Sequence, residues 1–530
     1  MRFPLAVLAL SLPALPAFAQ TNAVPGTDVM AFDVGGPSMY GRRGAAYPNG
    51  EAVMNIGHSM CNAGSVPIPW NSSGPGGTMA NTYPKIATMI AREFNGRMQQ
   101  ISGLSYCKHS RTPFNFTSGA CIPCQSSPSA AFRVGCSDTY SAGFSSIGNL
   151  GPTTEIDPWT GIWNPIGSYF DRGDPDVGLP GNADGVQSTI NGDNLKNRMV
   201  VQESDLAGGG TFYGQAQICV IGEPGTNRAN NAASRPLTFT WNGTSWSVGV
   251  TGTAAIGPVL TRWTGASTAV NGNGVDDGRF MVGWKVTDLG NGYWHYEYAV
   301  HNLDNNRGAA SLRVPVCTSA HIINSGFHDI DTNVLNNWTY APAVGEVAWQ
   351  ATANNAIEWN SLYNFWFDCD AAPVPGTVSI DEARPGPGAL TVDVAADVPG
   401  LGNRYLGAGC GSPAPSLFAS GRATIPNPTF SLRIEGMPFT ISVLVVSTGG
   451  LTLPLGNGCT SYLDTNQIVM FDYILSEISG TARWNLPIPA FMQPFQAFCQ
   501  GAQFVTGGPF LNDLALTNAL LVPVGGTACP

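Results

Sequence analysis

The side chains best suited to acid–base chemistry lie in two short clusters of this chain. Lys108 and His109 stand in a cysteine-rich stretch, and His328 and Asp329 follow a predicted strand that ends at Phe327. A histidine beside a carboxylate can act as a general base with an orienting partner, or can bind a divalent ion. If folding brings both clusters into one cleft, the site suits a metal- or carboxylate-dependent hydrolase. The candidate catalytic set is Lys108, His109, Asp138, Tyr140, His328 and Asp329.

A structural role explains each cluster more simply. Aspartates in loops accept backbone N–H bonds, and His328 would then pack against Trp338. Cys107 and His109, with the cysteines that follow them, could bind zinc in a cytosolic protein. In an exported chain the same thiols form disulfides instead.

Oxygen-bearing side chains in two glycine-rich loops are candidate calcium ligands. Calcium prefers carboxylate and amide oxygens. Neither loop has the full spacing of a calcium-binding motif, since Val275 stands where a ligand would fall. A calcium ion bound there would stabilise the fold rather than catalyse. We predict no other cofactor. The candidate ligands are Asp174, Asp176, Asp184, Asn271, Asn273 and Asp276.

The elements that must position these residues are strands, and the clearest is a hairpin in the middle of the chain. Aromatic and β-branched residues alternate with polar ones over 294–300, as in a half-buried strand. The alternating segment 279–287 precedes it, and the turn residues 288–292 join the two. In that register Trp284 would face Tyr296.

The polar face of this hairpin carries His295, Glu297 and His301, with Lys285 across the ladder. Residues two apart on one strand are separated by about 7 Å, so His295 and Glu297 could flank one ligand. A solvated face with cross-strand pairs is the ordinary explanation.

The first twenty residues are typical of a secretory signal peptide. Arg2 precedes an apolar run over 5–15, and Ala17-Phe-Ala19 is a small-x-small cleavage site. We therefore predict that residues 1–19 are removed and that the mature protein is secreted or held at the cell surface. No later apolar run approaches the length of about 18 residues that spans a bilayer, so we predict no membrane span.

Composition excludes nucleic acid as a partner. The formal net charge is −11 and charged residues make up 11% of the chain. Phosphate recognition needs a basic stripe, and the sequence has none. The 65 glycines and 40 prolines indicate many turns, as β-rich exported proteins have.

The cysteines predict disulfide bonds. Their number, 12, is even, which in an exported chain indicates six bonds. We expect Cys317 to pair with Cys369. The four C-terminal cysteines should pair among themselves: Cys410, Cys459, Cys499 and Cys529. Six remain for the N-terminal section: Cys61, Cys107, Cys121, Cys124, Cys136 and Cys219.

The predicted fold class is all-β. Residues 20–197 are a loop-rich, cysteine-containing section with one predicted helix over 83–94. Closely spaced strand patterns over 198–396 indicate an antiparallel β-sandwich. Glycine and proline mark 397–405 as a linker. Residues 406–530 are predicted to form a second, C-terminal β-sandwich.

Two regions resemble known groups of proteins. The C-terminal unit carries Gly407-Ala-Gly-Cys410 and Gln496-Ala-Phe-Cys-Gln500, and from about residue 405 it resembles a β-sandwich domain common in exported bacterial proteins. That resemblance implies an extracellular accessory or attachment module. Residues from about 61 to 370 carry Tyr296-Glu-Tyr-Ala-Val300 and Gly326-Phe-His-Asp329, and resemble a group of uncharacterised secreted bacterial proteins. This second resemblance implies export and architecture but names no reaction.

We therefore expect an extracellular protein that binds a polymer or a surface, with a glycan as the candidate polymer. Sugar rings present apolar C–H faces to aromatic planes. The alternatives are the secreted hydrolase, with its site between the N-terminal loops and the central sandwich, and a structural matrix or envelope component. The tryptophans that could form a loop platform for sugars are Trp70, Trp159, Trp163 and Trp338.

Overall fold

The structure is a computed structural model of the chain. It describes residues 20–70, 81–107, 113–117, 119–121, 123–125, 131–144, 151–172, 183–186, 195, 197–274, 277–290, 292–317, 320–352, 354–420 and 423–525.

Strands dominate the described residues, and their pairing is antiparallel, which confirms the all-β prediction. The short helices are α1 (Tyr169–Arg172) and α2 (Glu203–Ala207), with 3-10 turns at Ala142–Phe144, Thr153–Glu155, Gly225–Asn230, Val259–Arg262 and Thr465–Gln467. The strands are β1 (Val29–Gly44), β2 (Gly50–Asn62), β3 (Ile68–Pro69), β4 (Lys85–Phe94), β5 (Arg97–Gln100), β6 (Ala131–Phe132), β7 (Ser137–Tyr140), β8 (Ile156–Asp157), β9 (Ile162–Trp163), β10 (Met199–Gln202), β11 (Thr211–Cys219), β12 (Ala232–Trp241), β13 (Trp246–Val250), β14 (Ala255–Ile256), β15 (Ser267–Gly272), β16 (Arg279–Asp288), β17 (Trp294–Asn302), β18 (Ala309–Pro315), β19 (Ile322–His328), β20 (Thr339–Tyr340), β21 (Glu346–Gln350), β22 (Leu362–Cys369), β23 (Ala371–Glu382), β24 (Thr391–Leu406), β25 (Ser416–Ala419), β26 (Ser431–Glu435), β27 (Ile441–Ser447), β28 (Gly450–Gly456), β29 (Cys459–Leu463), β30 (Ile468–Leu475), β31 (Thr481–Asn485), β32 (Phe495–Gly508) and β33 (Asn512–Val524).

The N-terminal half folds into two facing sheets. The first has the order β1-β2-β10, with β7 also beside β2, and the second has the order β13-β12-β11-β4-β5, with β14 beside β12. Buried side chains such as Met54 of the first sheet and Ile90 and Ile218 of the second share one apolar cluster. These two sheets therefore form a sandwich, because each buries one apolar face against the other.

A third and a fourth sheet continue the stack. The third, β15-β16-β17-β22-β19, shares a cluster with the second through Met89, Leu260 and Met281. Its other face carries Tyr298 and packs with Trp349 of the fourth sheet, whose order is β20-β21-β18-β23-β24-β33-β32-β27-β30. The third sheet is thus covered on both faces over much of its area.

The C-terminal unit uses the far end of the fourth sheet. The small sheet β25-β26-β31 packs against that end, with Leu432 and Trp484 on one side and Leu444 and Val522 on the other. This is the predicted C-terminal sandwich.

Strand β4 replaces the helix predicted over 83–94, and that prediction is wrong. Ile86 and Ile90 face the first core cluster, while Met89 faces the cluster shared with the third sheet. A strand buried on both faces carries apolar residues in nearly continuous runs, which a helical spacing also fits.

The central hairpin forms with its predicted faces but in a shifted register. Val286, not Trp284, lies opposite Tyr296, and Trp284 lies opposite Tyr298. The ladder extends to Asp288 opposite Trp294, so the turn begins one residue later than predicted. Because the shift is an even number of residues, every side chain keeps its predicted face.

Strands cross two of the boundaries drawn from sequence. The segment 397–405 lies inside β24, which pairs with β23 and then, at Arg404–Leu406, with β33. On either side of residue 197, β2 pairs with β10 and β4 pairs with β11.

Three disulfide bonds are present between described cysteines: Cys61–Cys121, Cys124–Cys136 and Cys410–Cys459. Cys317 is also disulfide-bonded, and four buried thiols are free: Cys107, Cys219, Cys369 and Cys499. The predicted Cys317–Cys369 bond and a disulfide at Cys499 are therefore wrong, and the expected six bonds are not all formed in the structure, where Cys107 and Cys219 are thiols. Two cysteines in the same section of a chain bond only if the fold brings their sulfur atoms within reach. Cys529 lies outside the described residues.

Candidate functional site

His328 and Asp329, at the end of β19, contact different neighbours. The ring nitrogen Nε2 of His328 lies 3.4 Å from the amide nitrogen Nε2 of Gln99. Asp329 is 4% exposed and accepts a 2.8 Å hydrogen bond from Asn355 Nδ2. Burial lowers the pKa of His328 and raises the pKa of Asp329. It is Phe327, rather than His328, whose ring stacks on Trp338.

Asp138 and Tyr140 belong to β7, in the first sheet. The Tyr140 hydroxyl donates a hydrogen bond to Asp138, and the ring of His58 packs on Tyr140 at 5.3 Å. Asp138 and Tyr140 are 0% and 1% exposed. Lys108 and His109 lie outside the described residues, so the convergence of the six candidate catalytic residues stays a prediction.

The candidate calcium ligands that the structure describes make protein contacts of their own. Asn273 Nδ2 donates to Asp277 Oδ2 at 2.6 Å, and Arg307 donates to the same carboxylate at 2.8 Å. Arg307 also pairs with the carboxylate of Glu382. The guanidinium thus supplies the positive charge between these two acids.

The remaining calcium candidates are separate from that cluster. Asn271 donates to the carbonyl of Asp393 at 2.6 Å, and the backbone N–H of Asp184 donates to Asp171 at 3.1 Å. Asp174, Asp176 and Asp276 lie outside the described residues. Among described side chains, no group of three or more His, Cys, Asp and Glu residues is arranged to hold a metal ion.

The polar face of β17 is a buried ion-pair network rather than a solvated face. Arg97 of β5 donates two hydrogen bonds to Glu297, at 2.5 and 2.6 Å, and its guanidinium lies 3.6 Å from the Trp366 ring centroid. His295 bridges two acids, with Nδ1 2.7 Å from Asp368 and Nε2 3.3 Å from Glu297. The hydrogen bond with Glu297, then that with Asp368, raises the pKa of His295 against the opposing effect of burial.

This network has the composition of a catalytic centre but not its geometry. A general base needs a free lone pair that points at the substrate. Both ring nitrogens of His295 are engaged by carboxylates. Charge-assisted bonds of this kind fix side chains in place, so the network joins the second sheet to the third.

An open pocket with tyrosines and three ionisable groups lies where the central sandwich meets the C-terminal unit. Its volume is about 550 Å³. We call it the tyrosine pocket and define it by Tyr293, His321, Asp370, Arg404, Tyr405 and Tyr462.

The polar groups of the tyrosine pocket are held in position by one another. The Tyr293 hydroxyl and His321 Nδ1 lie 2.6 Å apart. Asp370 accepts hydrogen bonds from the backbone N–H of His321 at 2.8 Å and from Arg404 Nε at 3.2 Å. Burial, followed by the charge of Asp370, raises the pKa of Tyr293.

Glycines let the aromatic rings close over this pocket. Gly407 has a φ of 63°, and a Cβ there would overlap the Tyr462 hydroxyl. A Cβ on Gly292 would come within 3.1 Å of Tyr405. Sequence patterns do not reveal this site because its residues come from distant segments, although glycine-rich turns at 288–292 and 407–409 are a visible signal.

The tryptophans predicted to form an open platform are core residues, so that prediction is wrong. Trp70, Trp159 and Trp163 are each 1% exposed and Trp338 is 4% exposed. Burying a large aromatic ring is favourable because it removes much apolar surface from water.

Comparisons with known proteins give this chain no family. No protein-family model and no curated protein matches it. One solved structure with a partial likeness is described as Escherichia coli alpha-2-macroglobulin activated by porcine elastase, at 8% identity and a TM-score of 0.14. The likeness covers 95% of this chain and 35% of that one, and it is too low to carry an argument.

Proposed function

We propose that this protein is exported and binds an extracellular polymer, a glycan, in the tyrosine pocket. The observation that carries the proposal is the combination in one open cavity of tyrosine rings with an Asp370–Arg404 pair and His321. The predicted signal peptide and the three disulfides described above fit an oxidising, extracellular setting.

The chemistry of a sugar ring matches these groups. Its C–H face packs on an aromatic plane, and its hydroxyls need donors and acceptors at the edge of the ring. Tyr405 and Tyr462 supply aromatic surface, while Asp370 accepts and Arg404 donates. Glycan binding uses both properties at once, whereas a purely apolar ligand would leave the ion pair desolvated without compensation.

The size of the cavity fits a short stretch of polymer. Ligand pockets commonly have volumes of about 300–1,000 Å³, and the tyrosine pocket, at about 550 Å³, lies within that range. It is open to solvent, so a chain could enter and leave without a free end.

Retention on insoluble polysaccharides tests the proposal. We expect the wild-type protein to be retained on at least one polymer, and Tyr462→Ala and Tyr293→Ala to weaken retention by about two- to tenfold, as loss of a stacking ring contributing about 0.5–1.5 kcal/mol implies. The matched control is Tyr473→Ala on β30, a tyrosine that is 64% exposed and lies outside the pocket.

Two results would contradict the proposal. The first is the absence of retention on every polysaccharide tested, which would favour a structural matrix or envelope component. The second is equal weakening by Tyr462→Ala and Tyr473→Ala, which would place the contact elsewhere on the surface.

A further inference from the structure

Two of the four free thiols lie in the same part of the core. Cys107 and Cys219 both belong to the cluster between the first and second sheets, and each is 2% exposed. Cys369 and Cys499 belong to two other clusters. Only the first pair of thiols therefore shares one buried environment among the described residues.

The backbone places Cys107 and Cys219 at the same end of β4. Cys219 ends β11 directly opposite Lys85, the first residue of β4. The segment 101–107 runs back along β4, since the N–H of Ile101 donates to Ile90 at 3.0 Å and Ser105 Oγ lies 2.9 Å from Thr88 Oγ1.

Two residues beyond Ser105, this segment brings Cys107 to the level of Lys85. The charge of Lys85 acts on both thiols, and Cys219 acts on Cys107. Lys85 itself is anchored by a 2.7 Å hydrogen bond to the carbonyl of Gly161. Both cysteines are thus adjacent to the same buried ammonium group.

We propose that Cys107 and Cys219 form a disulfide bond when the chain folds in an oxidising medium. Each Sγ–H bond is lost as a proton, and the two electrons pass to a small disulfide such as oxidised glutathione, which is cleaved to two thiols. The new bond closes a loop of roughly 110 residues and ties the segment 101–107 to the end of β11.

The bond forms while the core is still open. Burial raises the pKa of Cys219 to about 12 and raises that of Cys107 well above its ordinary value. The thiolate is the reacting species in disulfide exchange. Once the core is closed, both thiols stay protonated and out of reach of the oxidant, so oxidation of the folded, reduced protein is slow.

Peptide mapping of the full-length protein tests the proposal. The protein is refolded in a buffer of reduced and oxidised glutathione, alkylated under denaturing, non-reducing conditions and digested. We expect a cross-linked peptide that joins Cys107 to Cys219 and is lighter than the two thiol peptides by about 2 Da, with Cys369 and Cys499 alkylated. Alkylation of both Cys107 and Cys219, or either of them in a different bond, overturns the proposal.

A variant series gives a second readout. We expect Cys107→Ser, Cys219→Ser and the double variant to lower the Tm of the oxidised protein by the same amount, about 5–10 °C, because one cross-link is lost in each. Cys499→Ser, a buried free thiol in another cluster, is the control in which the Cys107–Cys219 peptide persists. Losses in the single variants that add up in the double variant would show that the two thiols act separately and would overturn the proposal.

Discussion

At the scale of single residues, the polar face of β17 carries a buried carboxylate, that of Glu297, which pairs with Arg97. Glu297 is 5% exposed and depends on Arg97 for its two strongest hydrogen bonds. A buried carboxylate without its partner is strongly destabilising, although the intact pair itself adds little. The pair therefore specifies how the second sheet docks on the third more than it adds net stability.

Replacement of Arg97 tests this role. We expect Arg97→Ala to lower the free energy of unfolding by roughly 3 kcal/mol, because Glu297 stays buried and keeps only its longer contact, 3.3 Å, with His295. The measurement is chemical denaturation at neutral pH.

The matched control is Arg433→Ala. Arg433 likewise pairs with a glutamate, Glu435, at 2.6 Å and packs on an aromatic ring, that of Phe418, at 4.9 Å. Glu435 is 48% exposed, so we expect a loss of at most about 1 kcal/mol. Equal losses in the two variants would show that Glu297 is solvated in solution.

Two histidines on this one strand should change stability with pH in opposite directions. The pKa of His295 is raised, chiefly by Glu297, and burial lowers the pKa of His301 to about 3. The unfolded value is about 6.5. The contribution of His295 is therefore complete below about pH 6.5 and is lost as pH rises through its folded pKa, whereas His301 costs stability as pH falls below about 6.5.

Substitution of each histidine separates these two effects. We expect His295→Gln to be more destabilising at pH 6 than at pH 9. We expect His301→Gln to remove an acid-side loss of about 1.4 kcal/mol per pH unit between about pH 6 and 4. The measurement is the free energy of unfolding across that pH range, and parallel curves for the wild type and both variants would contradict the assignment.

At the scale of elements, β24 links the two sandwiches without a flexible joint. Its backbone pairs first with β23 and then with β33, and Val398 is 5% exposed. Glycine and proline in 397–405 suggest a linker when read alone, but strands accommodate them at edges and irregularities, and the pairing with β23 shifts register between Pro399 and Arg404. The tyrosine pocket depends on this continuity, since Arg404 and Tyr405 line it from the last three residues of the strand.

Limited proteolysis distinguishes a strand from a linker. We expect thermolysin to spare 397–405 in the native protein, because a protease needs several residues of free backbone. Cleavage should begin instead near Val334 and Leu335, which are 76% and 87% exposed. Early cleavage within 397–405 would mean that β24 does not hold the two sandwiches together.

At the scale of the whole molecule, the sheets form a stack in which distant segments complete each other. The second sheet joins β4 and β5 to β11, β12 and β13, and its two faces serve two different cores. Among the described residues, no helix is long and apolar enough to cross a bilayer.

Fragments of the chain test this interdependence. We expect residues 20–197 expressed alone to show no cooperative unfolding transition, because β2 and β4 lose their partners β10 and β11. The longer fragment 20–262 keeps those partners and should unfold cooperatively in calorimetry. A sharp transition from the shorter fragment would show that the N-terminal section is an independent domain.

The sequence by itself determined the fold class, the two faces of the central hairpin and the existence of a C-terminal sandwich. These follow from alternation along the chain, which is a local property of each strand. The register of the hairpin, the strand nature of β4 and the buried state of Glu297 needed the tertiary structure, because each depends on which surface covers the strand. The tyrosine pocket and the Cys107–Cys219 pair were decided there too, since their side chains meet only through contacts between residues far apart in the chain.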